Sequence, residues 1–251
     1  MGTVFEEQGR YGAALKAKED AFHTMQELNE QGYWMAFIRS GYGDALNLVG
    51  RGEEAQKHLQ AALDLAQQLH NDPVIAQTLN FRGDHFFYTG DYSSAQKFYS
   101  QALQIASKTT NHYMILRSKL NVAKTAVKLG RTQMALVALR PVAQEAERRR
   151  LKYLNTECSL YLGEALLNAK DYSPAQQELE VALHTSQDLG LKALQANTEF
   201  LLARVLRATG GAEASAHQAE ARRILEEIRK EASSDLILKR SDFAPIAALA
   251  P

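Results

Sequence analysis

Apolar residues recur along this chain at the spacing of an amphipathic helix. In AQKHLQAALDLAQQL, residues 55–69, the residues Ala55, Leu59, Ala62, Leu63 and Ala66 return at intervals of three and four. No stretch shows the sustained alternation typical of a strand, and no Asn-Gly or Asp-Gly dipeptide joins two β-branched runs. The pattern predicts an all-α chain.

The helical pattern repeats every 40 residues. The segments LVGRGEEA (48–55), YTGDYSSA (88–95), KLGRTQMA (128–135) and NAKDYSPA (168–175) align without a gap. Small residues form columns: Gly43, Gly83, Ala123, Gly163 and Ala203; Ala55, Ala95, Ala135 and Ala175; Ala62, Ala102 and Ala182, with Val142 as the exception. Leu59, Tyr99, Leu139 and Leu179 form a bulky column between them. We expect the small residues to lie where helices approach closely and the large ones to fill the remaining space.

Each repeat reads as two helices joined by a turn. Glycines such as Gly50 stand at the turns, where a left-handed residue ends a helix. Ser173 and Pro174 are typical of an N-cap and a first helical residue, and Pro141 predicts a kink in its helix. The expected solenoid covers residues 1–232, with repeats at about 1–33, 34–73, 74–113, 114–153, 154–193 and 194–232.

The two ends of the array depart from the repeat. Gly2, Gly9, Ala14 and Ala21 match the second unit with a shift of 41, so Met1 falls in the middle of a helix. Because an uncapped hairpin exposes its stacking face, we expect a fragment of a longer protein, or a homodimer formed through this truncated end. Residues 233–251 form a tail in which Leu236, Ile237 and Leu238 predict a short capping helix.

The columns of small residues resemble the tetratricopeptide repeat family. The resemblance covers almost the whole chain, although the unit has 40 residues and the usual one has 34. Long units of this kind are similar to those of spindle-adaptor and kinesin light chain-like arrays and of bacterial signalling proteins. The resemblance implies a right-handed superhelical solenoid of antiparallel hairpins, about six in number. It also implies a noncatalytic scaffold that binds a protein or peptide in its concave groove.

Composition and motifs point the same way. The 29 basic and 29 acidic residues balance, and no apolar run reaches the ~20 residues that span a bilayer. The acidic start without a signal peptide, together with the single Cys158, predicts a cytoplasmic protein that does not bind a membrane. No phosphate loop, Cys-x-x-Cys pair, nucleophile elbow or helical His pair for a metal is present. We therefore expect no enzyme activity, no cofactor and no metal.

The predicted partner-binding face consists of the residues directly after the first small column and those about one helical turn further on. These positions are Asp44, Asn47, Asp84, Phe87, Tyr88, Lys124, Lys128, Glu164, Asn168, Arg204 and Arg207. Aromatic side chains would anchor a partner helix or extended peptide, and the alternating charges would set its register. The alternative is that the apolar members pack between hairpins and the charged members are solvated.

Two other functions remain open. The chain could be the regulatory or sensor segment of a larger signalling enzyme or transcription regulator. The weaker alternative is an RNA-binding helical repeat, suggested by the basic run ERRRLKY (147–153). Since this run closes a helix, where cations oppose the negative end of the macrodipole, and the net charge is zero, nucleic acid is not an expected partner.

Overall fold

The computed structural model describes residues 2–249, which form helices and no strand. Six antiparallel pairs follow one another: α1 (Gly2–Glu7) with α2 (Tyr11–Glu27), α3 (Tyr33–Leu48) with α4 (Gly52–Gln68), α5 (Asp72–Tyr88) with α6 (Tyr92–Ala106), α7 (His112–Lys128) with α8 (Thr132–Arg148), α9 (Lys152–Asn168) with α10 (Tyr172–Leu189), and α11 (Lys192–Thr209) with α12 (Ala214–Ala232). A 3-10 helix (Asp235–Lys239) and α13 (Ala244–Ala247) complete the tail.

The small residues lie where the two helices of a hairpin touch, as predicted. A Cβ atom added to Gly43 would lie 2.7 Å from Cγ of Leu59, and one on Gly163 would lie 2.5 Å from Cγ of Leu179. All alanines of the three columns are buried, and so is Val142 in its exceptional position. Since ordinary carbon contacts are about 3.5–4.0 Å, no side chain fits at these glycines without moving the helices apart.

The turns follow one geometry, although their residues differ. Gly50 has a φ of +84°, and Lys170, which replaces the turn glycine of its repeat, is held at +61°. The predicted start of α10 is wrong by two residues: Asp171 occupies the N-cap position, and Pro174 lies within the first turn. Helix α8 continues through Pro141 from Thr132 to Arg148, and a bend at that residue stays a prediction.

The last hairpin packs on the first. The Glu231 carboxylate on α12 accepts hydrogen bonds from the backbone N–H groups of Gly12 (2.9 Å) and Ala13 (3.1 Å) at the start of α2. A Cβ on Gly12 would lie 2.5 Å from the carbonyl oxygen of Glu231, so the two helices are in close contact. The six hairpins thus form a closed turn, and α12 covers part of the first hairpin. The predicted homodimer through that end stays a prediction.

The C-terminal tail lies across the ends of α3 and α5. The buried Arg240 donates to the Leu48 carbonyl oxygen at 2.8 Å and pairs with Asp242 at 2.7 Å. Its guanidinium carbon lies 3.9 Å from the ring centre of Tyr88 and 5.3 Å from that of Tyr11. Through these contacts one side chain joins the tail to the second helix of the first hairpin and to the first helices of the next two.

Candidate functional site

A chamber of about 540 Å³ lies inside the closed turn, between the first helices of successive hairpins. Helix α3 contributes Phe37, Gly41, Asp44 and Leu48 to its wall. The equivalent face of α5 follows, and α7, α9, α1 and α2 complete the lining. This volume falls within the range of about 300–1,000 Å³ that ligand pockets occupy.

The two ends of the chamber differ. At the start of α3, Tyr33, Trp34 and Phe37 are exposed aromatic residues in mutual contact, with ring centres 4.9–6.3 Å apart. We call these three residues the aromatic rim. At the other end, the lining residues Tyr11, Leu48 and Tyr88 are all in contact with Arg240 of the tail. The chamber is therefore backed by the tail at one end and flanked by exposed aromatic rings at the other.

The two cations of the lining are already paired with carboxylates. Lys18 forms an ion pair with Glu6, and Arg117 forms one with Glu157 on α9. Burial raises the pKa of Glu6 even though Lys18 lies beside it. Neither cation is therefore free to receive an anionic ligand.

The carboxylate of Asp84, also in the lining, is satisfied by its neighbours. Its Oδ1 atom accepts from the hydroxyl of Tyr99 at 2.6 Å and from Nζ of Lys124 at 3.2 Å. Lys124 in turn lies 3.7 Å from Glu157 and 4.7 Å from the ring centre of Phe87. This network locks Asp84 in place and neutralises its charge.

Asp44 is the lining carboxylate with the least compensation. Its residue is only 8% exposed, and within residues 2–249 its side chain forms no hydrogen bond or ion pair. Burial and then the nearby Glu6 carboxylate raise the pKa of Asp44 well above its usual value. A buried carboxylate without a partner is costly, since desolvation is not repaid by hydrogen bonds.

Only some of the predicted partner-binding residues line the chamber. Asp44, Asp84 and Tyr88 line the chamber. The others lie elsewhere: Asn47, Phe87, Lys124 and Glu164 are buried within the walls, Lys128 is half-buried, and Asn168, Arg204 and Arg207 are exposed. That these residues bind a partner remains a prediction.

The alternating charges of this face pair with one another across neighbouring hairpins. Besides the contact of Lys124 with Asp84, Nζ of Lys128 lies 2.5 Å from Oε1 of Glu164. Asn47 donates to the Phe81 carbonyl oxygen at 3.0 Å, and Arg207 donates to Gln218 at 2.7 Å. The charges thus contribute to contacts between the hairpins and within the last one.

The lining also includes residues that the sequence reasoning missed. Phe37, Gln77 and Arg117 form a column with the same 40-residue spacing, and Gly41 and Phe81 form another. Both columns lie on the same helical face as the predicted positions. The helical period could have identified them, because Phe37 and Gly41, seven and three residues before Asp44, lie on the same face of the helix as Asp44. The prediction extended only toward the end of each helix.

Another depression of about 550 Å³ lies on α7 and α8, lined partly by Pro141, Glu145 and Arg149. Of its charged residues Lys119, Glu145 and Arg149, the last two pair with each other at 2.5 Å, and Arg148 also binds Glu145. The basic run is therefore partly neutralised within α8. Fewer polar and charged side chains line this depression than line the chamber.

Comparison with known proteins agrees with this architecture. A tetratricopeptide repeat family model matches residues 34–108 and 74–142. The solved structure of BtubC (BKLC) from P. vanneervenii is similar, with 20% identity, a TM-score of 0.64, and coverage of 86% of this chain and 91% of that one. No curated protein matches the chain by sequence.

Two further solved structures share the fold. A Rap protein in complex with the Competence and Sporulation Factor has 15% identity, a TM-score of 0.70, and coverage of 92% of this chain and 68% of that one. A putative kinesin light chain from Podosopora anserina, with nearly identical TPR-like repeats, has 17% identity and a TM-score of 0.54. The match covers 76% of this chain and 95% of that one.

The fold and the chamber define an all-α, right-handed repeat solenoid that encloses a cavity. Residues 34–142 match the tetratricopeptide repeat family, which confirms the predicted resemblance to it. Within residues 2–249, no helix combines the length and the apolar character needed to cross a bilayer.

Proposed function

We propose that the protein is a noncatalytic interaction module that holds a short segment of a partner polypeptide in its chamber. The observation that carries the proposal is the chamber itself, which combines aromatic residues with an uncompensated buried carboxylate. Pockets of this composition bind ligands by burying apolar groups and orienting a few polar ones. The likeness to a Rap protein in complex with a bound factor supports an interaction role for this fold.

The aromatic rim supports the same proposal. Trp34 is 57% exposed, and Phe37 reaches from the rim into the lining. Large exposed aromatic side chains are enriched at protein interfaces, because they bury a large area at a low cost in conformational entropy. A segment that enters the chamber at this end would cover them.

The test is a selection of random linear peptides on the protein, followed by binding measurements with a blocked chamber. Gly41→Phe places a ring in the chamber, and its Cβ would meet no atom closer than 3.5 Å, so the helix should tolerate it. Val181→Phe on the exposed face of α10 adds the same ring outside and is the matched control.

We expect the selected peptides to bind Gly41→Phe at least about tenfold more weakly than the wild type, a loss of ~1.4 kcal/mol, and to bind Val181→Phe normally. The emission of Trp34, the single tryptophan of the chain, gives a direct readout. Circular dichroism confirms that each variant is folded, and Gly41→Leu is a smaller block if the Phe variant is not. Equal binding to the blocked and open chambers contradicts the proposal.

A cytoplasmic location and a signalling role belong to this proposal as well. Cys158 is unpaired and buried, which is the ordinary state of cysteine in a reducing compartment. Fractionation of the native cells with an antibody against the chain tests the location, and recovery from an extracellular fraction contradicts it.

A further inference from the structure

We propose that the chamber binds a cationic nitrogen of the partner segment, a Lys or Arg side chain or an α-ammonium group, with Asp44 as its counter-ion. This inference rests on the proposed function and specifies the chemistry of the bound segment.

The charge balance of the lining favours a cationic ligand. Its ionisable acids are Glu6, Glu7, Asp44 and Asp84, and its bases are Lys18 and Arg117. Both bases are already paired with carboxylates, and Asp84 is paired with Lys124. Within residues 2–249, the Glu7 and Asp44 carboxylates form no ion pair, so the carboxyl groups of the lining outnumber the cations available to them.

The position of Asp44 suits a counter-ion. Asp44 is only 8% exposed and still borders the cavity, so the chamber is the space from which a partner can reach it. The Coulomb attraction between Asp44 and a cation in the chamber would be stronger than at the exposed surface, because less water screens it. Glu7 is only half-buried and is a weaker counter-ion.

The chamber around Asp44 is rich in aromatic side chains. Phe37, Phe81, Tyr113 and Tyr153 line the chamber together with the carboxylates. Faces of aromatic rings attract cations, and the same rings bury the aliphatic part of a Lys or Arg side chain. The chain already uses this contact, since Arg240 lies over Tyr88 and Lys124 lies over Phe87.

The experiment repeats the peptide selection on the wild type and on Asp44→Asn, which removes the charge and keeps the shape. Asp64→Asn on the exposed surface of α4 loses the same charge far from the chamber and is the control. Peptides are then synthesised with free and acetylated N-termini, and their affinities are measured by the emission of Trp34.

We expect Lys or Arg to be enriched in the peptides selected by the wild type and not in those selected by Asp44→Asn. Wild-type peptides should lose at least about tenfold in affinity on Asp44→Asn and none on Asp64→Asn. A loss on acetylation assigns the cation to the α-ammonium group, and its absence assigns it to a side chain.

Two outcomes overturn the inference in distinguishable ways. Peptides that require the open chamber but carry no enriched cation, and bind Asp44→Asn as well as the wild type, contradict the role of Asp44 and leave the proposed function standing. Peptides that bind equally to Gly41→Phe contradict the proposed function, and the inference fails with it.

The pH dependence gives an independent readout. The charged groups around Asp44 are Glu6 on α1, Lys18 on α2, Asp84 on α5 and Arg117 on α7. Since only the ionised carboxylate binds a cation, affinity should fall when the pH is lowered through the pKa of Asp44, and this fall should be absent in Asp44→Asn. The same pH profile in both proteins contradicts the inference.

Discussion

Replacing Gly83 by Ala tests the close packing of the hairpins at their tightest point. A Cβ at this position of α5 would lie 2.4 Å from both Cδ1 and Cε1 of Tyr99. Because an ordinary carbon contact needs about 3.5 Å, the helices must separate by about 1 Å or the ring must move. The ring is fully buried, and its hydroxyl is held by Asp84 at 2.6 Å, so it cannot rotate away without losing that bond.

The expected cost follows from two opposing effects. Overpacking of a rigid core costs about 1–3 kcal/mol, and this contact lies at the severe end of that range. The better helix propensity of Ala returns about 1 kcal/mol. The net loss is about 2 kcal/mol, which corresponds to a fall in Tm of about 4–8 °C for a chain of this size.

Gly41→Ala is the matched control. Gly41 lies in α3, and its added Cβ would meet nothing closer than the end of the Lys18 side chain at 3.5 Å. Only the propensity effect remains, so this variant should gain about 0.5–1 kcal/mol. Thermal unfolding followed by circular dichroism compares the two, and equal rises in Tm would refute the reasoning.

A second substitution checks the cause. In the next repeat, Ala123 and Leu139 occupy the positions of Gly83 and Tyr99, and both are buried. The double variant with Ala at 83 and Leu at 99 should therefore be more stable than the sum of the single changes predicts. A double-mutant cycle with no coupling would mean that the ring of Tyr99 is not what excludes the Cβ.

Three further variants should change the free energy of unfolding in a stated direction. Asp44→Asn should raise the free energy of unfolding by about 1–3 kcal/mol at neutral pH, because it removes a buried carboxyl group that has no hydrogen-bond or ion-pair partner within residues 2–249. Since the pKa of this acid is raised in the folded state, its penalty is full above the folded pKa, so the gain should shrink as the pH falls below that value and vanish only below the unfolded pKa. Arg240→Gln should cost about 3–5 kcal/mol by leaving Asp242 unpaired. Lys170→Gly should gain about 0.5–1 kcal/mol by removing a left-handed non-glycine residue.

Denaturant unfolding of each variant checks these values. A destabilised Asp44→Asn would mean that the carboxylate has a stabilising partner after all. Unchanged stability of Arg240→Gln would mean that the tail does not hold the hairpins together. A loss in Lys170→Gly would mean that the lysine side chain contributes more than its backbone conformation costs.

Repetition is what made most of the fold predictable. Each hairpin meets its neighbours in the same way, so a column of small residues at a fixed spacing reports one recurring contact. Gly43, Gly83 and Gly163 all face the bulky residue of their own hairpin, as the columns indicated. The predicted capping helix also corresponds to the 3-10 helix of residues 235–239, where Ile237 is buried although Leu236 is exposed.

The closure of the solenoid could not be read from the repeats. Whether the first and last hairpins meet depends on small rotations that accumulate over the array, and these rotations leave no local pattern. The importance of Arg240 was missed for this reason, because its partners Leu48 and Tyr88 are far away in the chain. Asp44 was predicted on the binding face, but its lack of a partner depends on which charges the closed turn brings near it.

The most direct test of the chamber as the binding site is photo-crosslinking from its wall. A benzoylphenylalanine residue replaces Phe37, which lines the chamber, or Val181 on the outer surface, and each protein is irradiated with a peptide selected by the wild type. We expect crosslinks from position 37, suppressed by excess unlabelled peptide, and none from position 181. Crosslinks from position 181 alone would place the bound peptide outside the chamber and contradict this conclusion.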